Sequence, residues 1–202
     1  VDDEGRPVAA GEPGELFSRS PYLMNGYLND PEATAACTTD DGFLTCGDVV
    51  TVDDEGFIRI VDRKKDLIKT SGGKYIAPSL IESRFKALCP LLANVIVHAN
   101  GRNYATALVT LDPDVTAGFA ESEGIAGGPE EWATDPKVEK AVRDALVELN
   151  AGLNRWETVK DVRILPRDLS VDEGELTPSL KIKRKVVETK YSALLETMYT
   201  KS

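Results

Sequence analysis

A change of hydrophobic period partway along the chain limits the folds open to it. Up to about residue 62, apolar residues recur at every second position in short runs; beyond residue 66, such runs alternate with stretches of helical spacing. A period of two places side chains on alternate faces of a strand, whereas a period near 3.6 gathers them on one side of a helix. "GELFSRS" reads as a short strand, and "GFLTCGDVVTVDDEGFIRIVDR" as two strands joined at the turn-forming "DDEG". Between them, "NDPEATAAC" carries an Asn-Asp start, with Pro31 suited to a first helical position.

Past the joint at "VDRKKD" the expected order is hairpin, helix, two strands, helix, strand, helix. "DLIKTSGGKYIAP" is the hairpin, with Gly72 and Gly73 supplying its turn. In "PSLIESRFKALC", Leu80, Ile81, Phe85 and Leu88 share a helical stripe behind Pro78. "NVIVHANGRNYATALVTL" predicts two strands around "NGRN", and "ESEGIAGGPEEW" a glycine-rich surface loop. Val138, Val142, Leu146 and Leu149 mark a helix from Asp135, and "VKDVRILP" is a strand. A final helix carries Val187, Tyr191, Leu194, Leu195 and Met198 on one face. The expected fold class is α+β: residues 1–62 look like the β-rich rim of another domain, residues 63–66 the joint, and residues 67–202 a small domain with helices on a sheet.

Composition narrows the chemistry. With a formal charge of −10, the chain does not read as a nucleic-acid binder, which would normally carry a basic face. Its three cysteines are too few and too irregularly spaced for a disulfide framework or zinc site, and they read as buried, reduced thiols. His98 is the only histidine and falls at the end of an apolar run, which argues against histidine-based triads and metal sites. No stretch approaches the roughly 18 apolar residues of a membrane span. The acidic, turn-rich start "VDDEGRPVAAGEPGE" is unlike a signal peptide and has no initiator methionine, so the chain reads as a piece of a longer protein.

Three short stretches stand out. Asp48 in "TCGDVV" is suited either to stabilising a hairpin or to accepting hydrogen bonds from vicinal hydroxyls. "DRKKDLIKTSGGKY" is either a charged linker before an ordinary hairpin or a glycine turn open to close backbone approach by a ligand. "LTPSLKIKRK" follows an acidic loop that reads as flexible. Alternation about Ile182 sends Lys181 and Lys183 to one face. A solvated helix start would explain the run poorly, because cations are disfavoured at a helix N-terminus.

Taken in order, "GELFSRSPYLMNGYLNDPEAT", "GFLTCGDVV", "GFIRIVDRKKDLIKTSGGKYIAPSLIE" and "LTPSLKIKRK" resemble the C-terminal third of the adenylate-forming enzymes. The ending and the long segment before "VRILP" look most like the long-chain fatty acyl-CoA synthetases. The resemblance implies an acid–thiol ligase of fatty acid metabolism. Such an enzyme uses Mg²⁺ and ATP to make an acyl-AMP, and coenzyme A to take the acyl group as a thioester. It implies that Asp48 binds the ribose hydroxyls and that Arg63 contacts ribose or phosphate. Lys65 is the hinge, and Lys69, Gly72 and Gly73 lie on the hairpin presented to CoA. Glu82 is structural, and Lys181 bridges the acyl carboxylate and the α-phosphate, with its neighbours facing phosphate or solvent.

Many relatives have a glycine where this chain has Leu180, and a slip of two would put Lys183 in the bridging place. Gly73 stands where relatives often carry a larger residue. The resemblance further implies a cytoplasmic protein, with peripheral membrane contact as an added expectation. The Mg²⁺ and most of the nucleotide would be held by a large N-terminal domain, without which this piece is inactive. Two other readings compete: transfer of the acyl group to a carrier protein, and a non-catalytic module whose basic arm docks an anionic partner or membrane.

Overall fold

The computed structural model describes residues 1–72 and 74–200, and the chain divides into two compact units, Val1–Leu67 and Ile68–Ser202. In the first unit, strands β1 (Gly14–Ser18), β2 (Leu44–Val52) and β3 (Ile58–Arg63) form an antiparallel sheet in that order. Helix α1 (Pro31–Cys37) precedes β2. Asp30 caps it by accepting from the Ala33 amide, and Pro31 opens it, since a missing N–H costs nothing in the first turn.

The second unit begins with a short hairpin, β4 (Ile68–Lys69) and β5 (Tyr75–Ile76). Helix α2 (Pro78–Leu88) follows, then β6 (Leu92–His98), β7 (Ala105–Leu111), α3 (Pro113–Glu123), α4 (Pro129–Trp132), α5 (Pro136–Ala151), β8 (Val159–Ile164), α6 (Arg184–Lys190) and α7 (Ser192–Tyr199). Strands β6 and β7 are antiparallel, and β8 lies parallel to β7. A parallel neighbour needs a long crossover, here supplied by α3, α4 and α5.

The central sheet is covered on both faces. Val95 and Val97 of β6 point into one core with Ile81 and Phe85 of α2 and Val138, Val142, Leu146 and Leu149 of α5. Ile96 and Leu108 point the other way, against Val187, Leu195 and Met198 of α6 and α7. Every residue of β7 is buried, as expected for a central strand. The α+β class therefore holds, with one helical layer on each side of a three-stranded sheet.

Three expectations need correction. Residues 113–123 form a helix that the apolar pattern hides, because only Thr116 and Ala120 are buried along it. Its signal lies at its ends: Asp112 accepts from the Asp114 and Val115 amides, and Gly124 closes it at φ 66°. Part of "ESEGIAGGPEEW" is thus helical, as the end of α3 and as α4. The last helix is two helices, broken at Tyr191 with φ −101° and ψ 19°. Of the cysteines only Cys89 is buried; Cys37 is half-buried and Cys46 exposed. Among the described residues no helix is long and apolar enough to cross a membrane.

Candidate active site

The loop that carries Lys181 is closed at its base and tied down from both ends. Leu176 bridges Ile182, the Lys183 amide donates to the Glu175 carbonyl (2.8 Å), and the Thr177 amide donates to the Lys181 carbonyl (2.8 Å). The Thr177 hydroxyl accepts from the Lys181 amide at 3.0 Å. Ile182 packs toward the second core, leaving Lys181 and Lys183 exposed on either side of it.

Turning the chain this tightly puts Leu180 at φ 60°, in the left-handed region, with its side chain 70% exposed. A branched side chain there costs about 1–2 kcal/mol, which explains why glycine suits this position. Leu180→Gly is expected to leave the protein unchanged or more stable by up to about 1 kcal/mol, the relief being offset by glycine's greater unfolded-state entropy. A urea titration checks this, and a loss beyond 1 kcal/mol would show that Leu180 makes stabilising contacts.

On the incoming side the anchor is Glu175, whose side chain is fully buried. Arg167 donates to both its oxygens (2.9 and 3.0 Å), Lys190 lies 3.0 Å away, the Ser170 amide donates at 3.1 Å, and the Tyr191 hydroxyl at 3.3 Å. Burial alone would push this carboxyl up, but the hydrogen bonds from Arg167, Lys190 and Ser170 outweigh it and lower the pKa to about 2. The acidic stretch before Lys181 is therefore pinned, where the sequence suggested a flexible lead.

On the outgoing side the anchor is Arg184, at the start of α6. Its guanidinium donates to Glu82 of α2 and to the Val97 carbonyl, each at 2.8 Å, and Glu82 also accepts from the Val97 amide at 2.8 Å. This corrects the reading of the basic run: Arg184, its side chain 25% exposed, is engaged within the fold and joins α6 to α2 and β6. The cation at the helix N-terminus is compensated by a carboxylate from another element.

The β4–β5 hairpin presents Lys69 and Gly72. Lys69 Nζ lies 5.3 Å from the centre of the Tyr75 ring, its partner across the hairpin. The Thr70 amide donates to the Lys74 carbonyl at 2.9 Å, closing the turn. A Cβ added at Gly72 would meet only the Thr70 hydroxyl, at 4.0 Å, and its backbone is not in the left-handed region. Among the described residues of this unit, nothing requires glycine there. Gly73 lies outside the described residues.

In the first unit, Asp48 and Arg63 face one another across β2 and β3, with Arg63 Nε 2.6 Å from Asp48 Oδ1. Gly47 at φ 73° and a register shift after Val49 bend the strand here. The Cys46 thiol donates to Asp48 Oδ2 at 2.9 Å, and this bond is the main cause that pushes the thiol's pKa up. Lys64 is fastened to Glu15 at 2.8 Å and its amide to the Gly47 carbonyl at 2.7 Å. Lys65 follows, exposed in a turn closed by the Leu67 amide on the Arg63 carbonyl.

Sequence reasoning passed over Glu175 and read Cys46 only as a buried thiol, not as a partner of Asp48. An acidic residue beside the basic run was the only signal for Glu175, and for Cys46 its place one residue before the Gly-Asp pair.

Residues 65–202 match the family of AMP-binding enzyme C-terminal domains. The chain is 35% identical over 199 residues to the long-chain-fatty-acid–CoA ligase FadD15 of Mycobacterium tuberculosis, covering 98% of this chain and 33% of that protein. It is 33% identical over 203 residues to human long-chain-fatty-acid–CoA ligase 1, covering 99% and 29%. Among solved structures it is similar to the A-PCP didomain of carboxylic acid reductase from Segniliparus rugosus in complex with AMP. There the TM-score is 0.68 and the identity 27%, over 93% of this chain and 25% of that one. The chain thus spans about a third of the length of the curated relatives it matches.

Proposed function

The chain belongs to the family of AMP-binding enzyme C-terminal domains, and on that premise we propose that it is the C-terminal third of a long-chain fatty acid–CoA ligase. In the first step the fatty carboxylate attacks the α-phosphorus of ATP, forming acyl-AMP and expelling pyrophosphate. In the second, the CoA thiol attacks the acyl carbon and AMP leaves. The observation that carries this reading is Lys181: exposed, without an ion-pair partner among the described residues, yet held on a loop anchored by Glu175 and Arg184.

A nucleophilic carboxylate approaching a phosphate works against like-charge repulsion. An ammonium between the two lowers that repulsion and stabilises the charge that builds on phosphorus. Asp48 accepts from the ribose hydroxyls while Arg63 holds its other lone pairs and faces ribose or phosphate. Lys65, next to the fastened Lys64, is where backbone torsions change so that the small domain presents the Lys181 loop first and the Gly72 hairpin second. Among the described residues no group of three or more His, Cys, Asp or Glu side chains could hold a metal ion. The Mg²⁺ that accompanies ATP and neutralises phosphate charge is assigned on this reading to the large domain and the phosphates, as the family resemblance implies. The 202-residue chain alone is inactive on this reading.

Gly72 supplies a specific test, since its own unit leaves room for a side chain. Gly72→Ala in the full-length ligase is expected to slow thioester formation from supplied acyl-adenylate about tenfold or more, by displacing a closely fitted thiol arm. Adenylate formation and the melting transition should not change. Equal losses in both half-reactions would end the two-face reading.

A carrier protein is the second candidate acceptor, favoured by the similarity to an A-PCP didomain. Presenting the full-length enzyme with CoA and with carrier protein, over a series of fatty acid lengths, decides between them. Acyl transfer confined to the carrier protein would overturn the CoA assignment.

A further inference from the structure

We infer that Arg102 is a positioning residue for the thioester-forming step, holding the Gly72 hairpin in place from the C-terminal helix α7. This rests on the reading of that hairpin as the face presented to CoA. The hairpin has only two paired residues per strand, too few to hold an orientation by itself. Its direction must come from outside, and the contacts that supply it converge on the turn between β6 and β7. The Ser71 amide donates to the Arg102 carbonyl at 3.0 Å, and the Gly101 amide to the Lys69 carbonyl at 3.0 Å. The Ser71 hydroxyl donates to Asn103 Oδ1 at 2.5 Å. Gly72 is the next residue along.

That turn is in turn clamped by α7. The Arg102 side chain pairs with Glu196 and lies over the Tyr199 ring, 4.6 Å from its centre. Tyr199 is itself well fixed: its hydroxyl donates to the His98 carbonyl at 2.7 Å and lies 2.9 Å from the Thr106 hydroxyl. Its ring packs on Tyr104 with centroids 5.1 Å apart. Burial pushes the Tyr199 phenol up to about 12, so it stays protonated at neutral pH. Arg102 joins the two halves: its carbonyl holds the hairpin and its guanidinium holds α7. Cutting the side-chain half leaves the carbonyl in place but frees the turn that aims it.

Full-length ligase carrying Arg102→Ala is assayed for each half-reaction, with CoA varied in the second. The KM for CoA is expected to rise about three- to tenfold, the scale of losing an exposed ion pair and a stacked cation. Adenylate formation from ATP and fatty acid should be unchanged, and the Ser71 amide should exchange hydrogen faster. Arg102→Lys should recover part of the loss through Glu196. Glu196→Gln, at an exposed position, should shift the KM in the same direction by less, and it carries the test if Arg102→Ala fails to fold. An unchanged CoA KM, or a parallel fall in both half-reactions, overturns the inference. Gly72→Ala run alongside separates the two failures. If it slows thioester formation and the Arg102 and Glu196 variants do not, only the role of Arg102 is wrong. If it does not, the hairpin reading falls and the inference with it.

Discussion

Replacing Lys181 by alanine is expected to slow adenylate formation about 10²- to 10³-fold, the loss typical of removing one preorganised charge from a developing oxyanion. Conversion of supplied acyl-adenylate to acyl-CoA should stay close to the parent rate, because on the proposed reading that step uses the other face of the domain. The site's geometry sharpens this expectation. Lys181 occupies one place in a loop closed by Thr177 and Glu175, so the backbone from which its ammonium extends is fixed rather than a wandering arm. Lys183, two residues on, is also exposed but sits at the N-cap of α6, and Lys183→Ala should slow the first step far less. Pyrophosphate exchange and single-turnover thioester formation, measured separately in the full-length enzyme, read the two effects. Were Lys183→Ala the more damaging variant, the bridging residue would be Lys183. If both left exchange intact, the adenylation role of this loop would be wrong.

The second large effect is on stability. Glu175→Gln is expected to destabilise the protein by about 3 kcal/mol, the lower end for removing one partner of a buried ion pair, because Arg167 and Lys190 keep Glu173 and water nearby. The same figure follows from linkage. The Glu175 carboxyl is lowered from 4.5 to about 2, a shift corresponding to about 3 kcal/mol. Because the folded-state value is the lower one, this stability is fully present above about pH 4.5. It is lost as the pH falls toward 2, where the carboxyl takes a proton. Urea titrations of the parent and the variant should therefore differ most at neutral pH and converge as the pH approaches 2. A gap that stays constant across that range would refute the assignment. Glu175 also holds the Lys183 amide through its carbonyl, so the variant should slow adenylation more than thioester formation.

Local signals made much of this fold legible. The stripe of Val138, Val142, Leu146 and Leu149 is buried in α5 as its spacing implies, and "NVIVHANGRNYATALVTL" is the antiparallel pair β6–β7. Helix α3 was missed because its polar, alanine-rich middle carries no apolar stripe, although Asp112, Pro113 and Gly124 mark its ends. The break at Tyr191 was hidden because the apolar face runs on through α6 and α7 into the same core.

The sequence alone determined most of the elements, though not α3 or the break at Tyr191, and it named the chemical candidates: alternation and helical stripes record which face a segment buries, and an unusual cationic run records a charge that needs a partner. What it could not determine was which charge is already satisfied. Arg184 and Glu82 are 102 residues apart in the chain and 2.8 Å apart in space, and Glu175 takes its partners from Arg167, Ser170, Lys190 and Tyr191. Pairings of that kind depend on how the sheet brings α2, α6 and the preceding loop together. Only the tertiary structure could separate the cations that hold the loop from the lysines left exposed on it, Lys181 and Lys183.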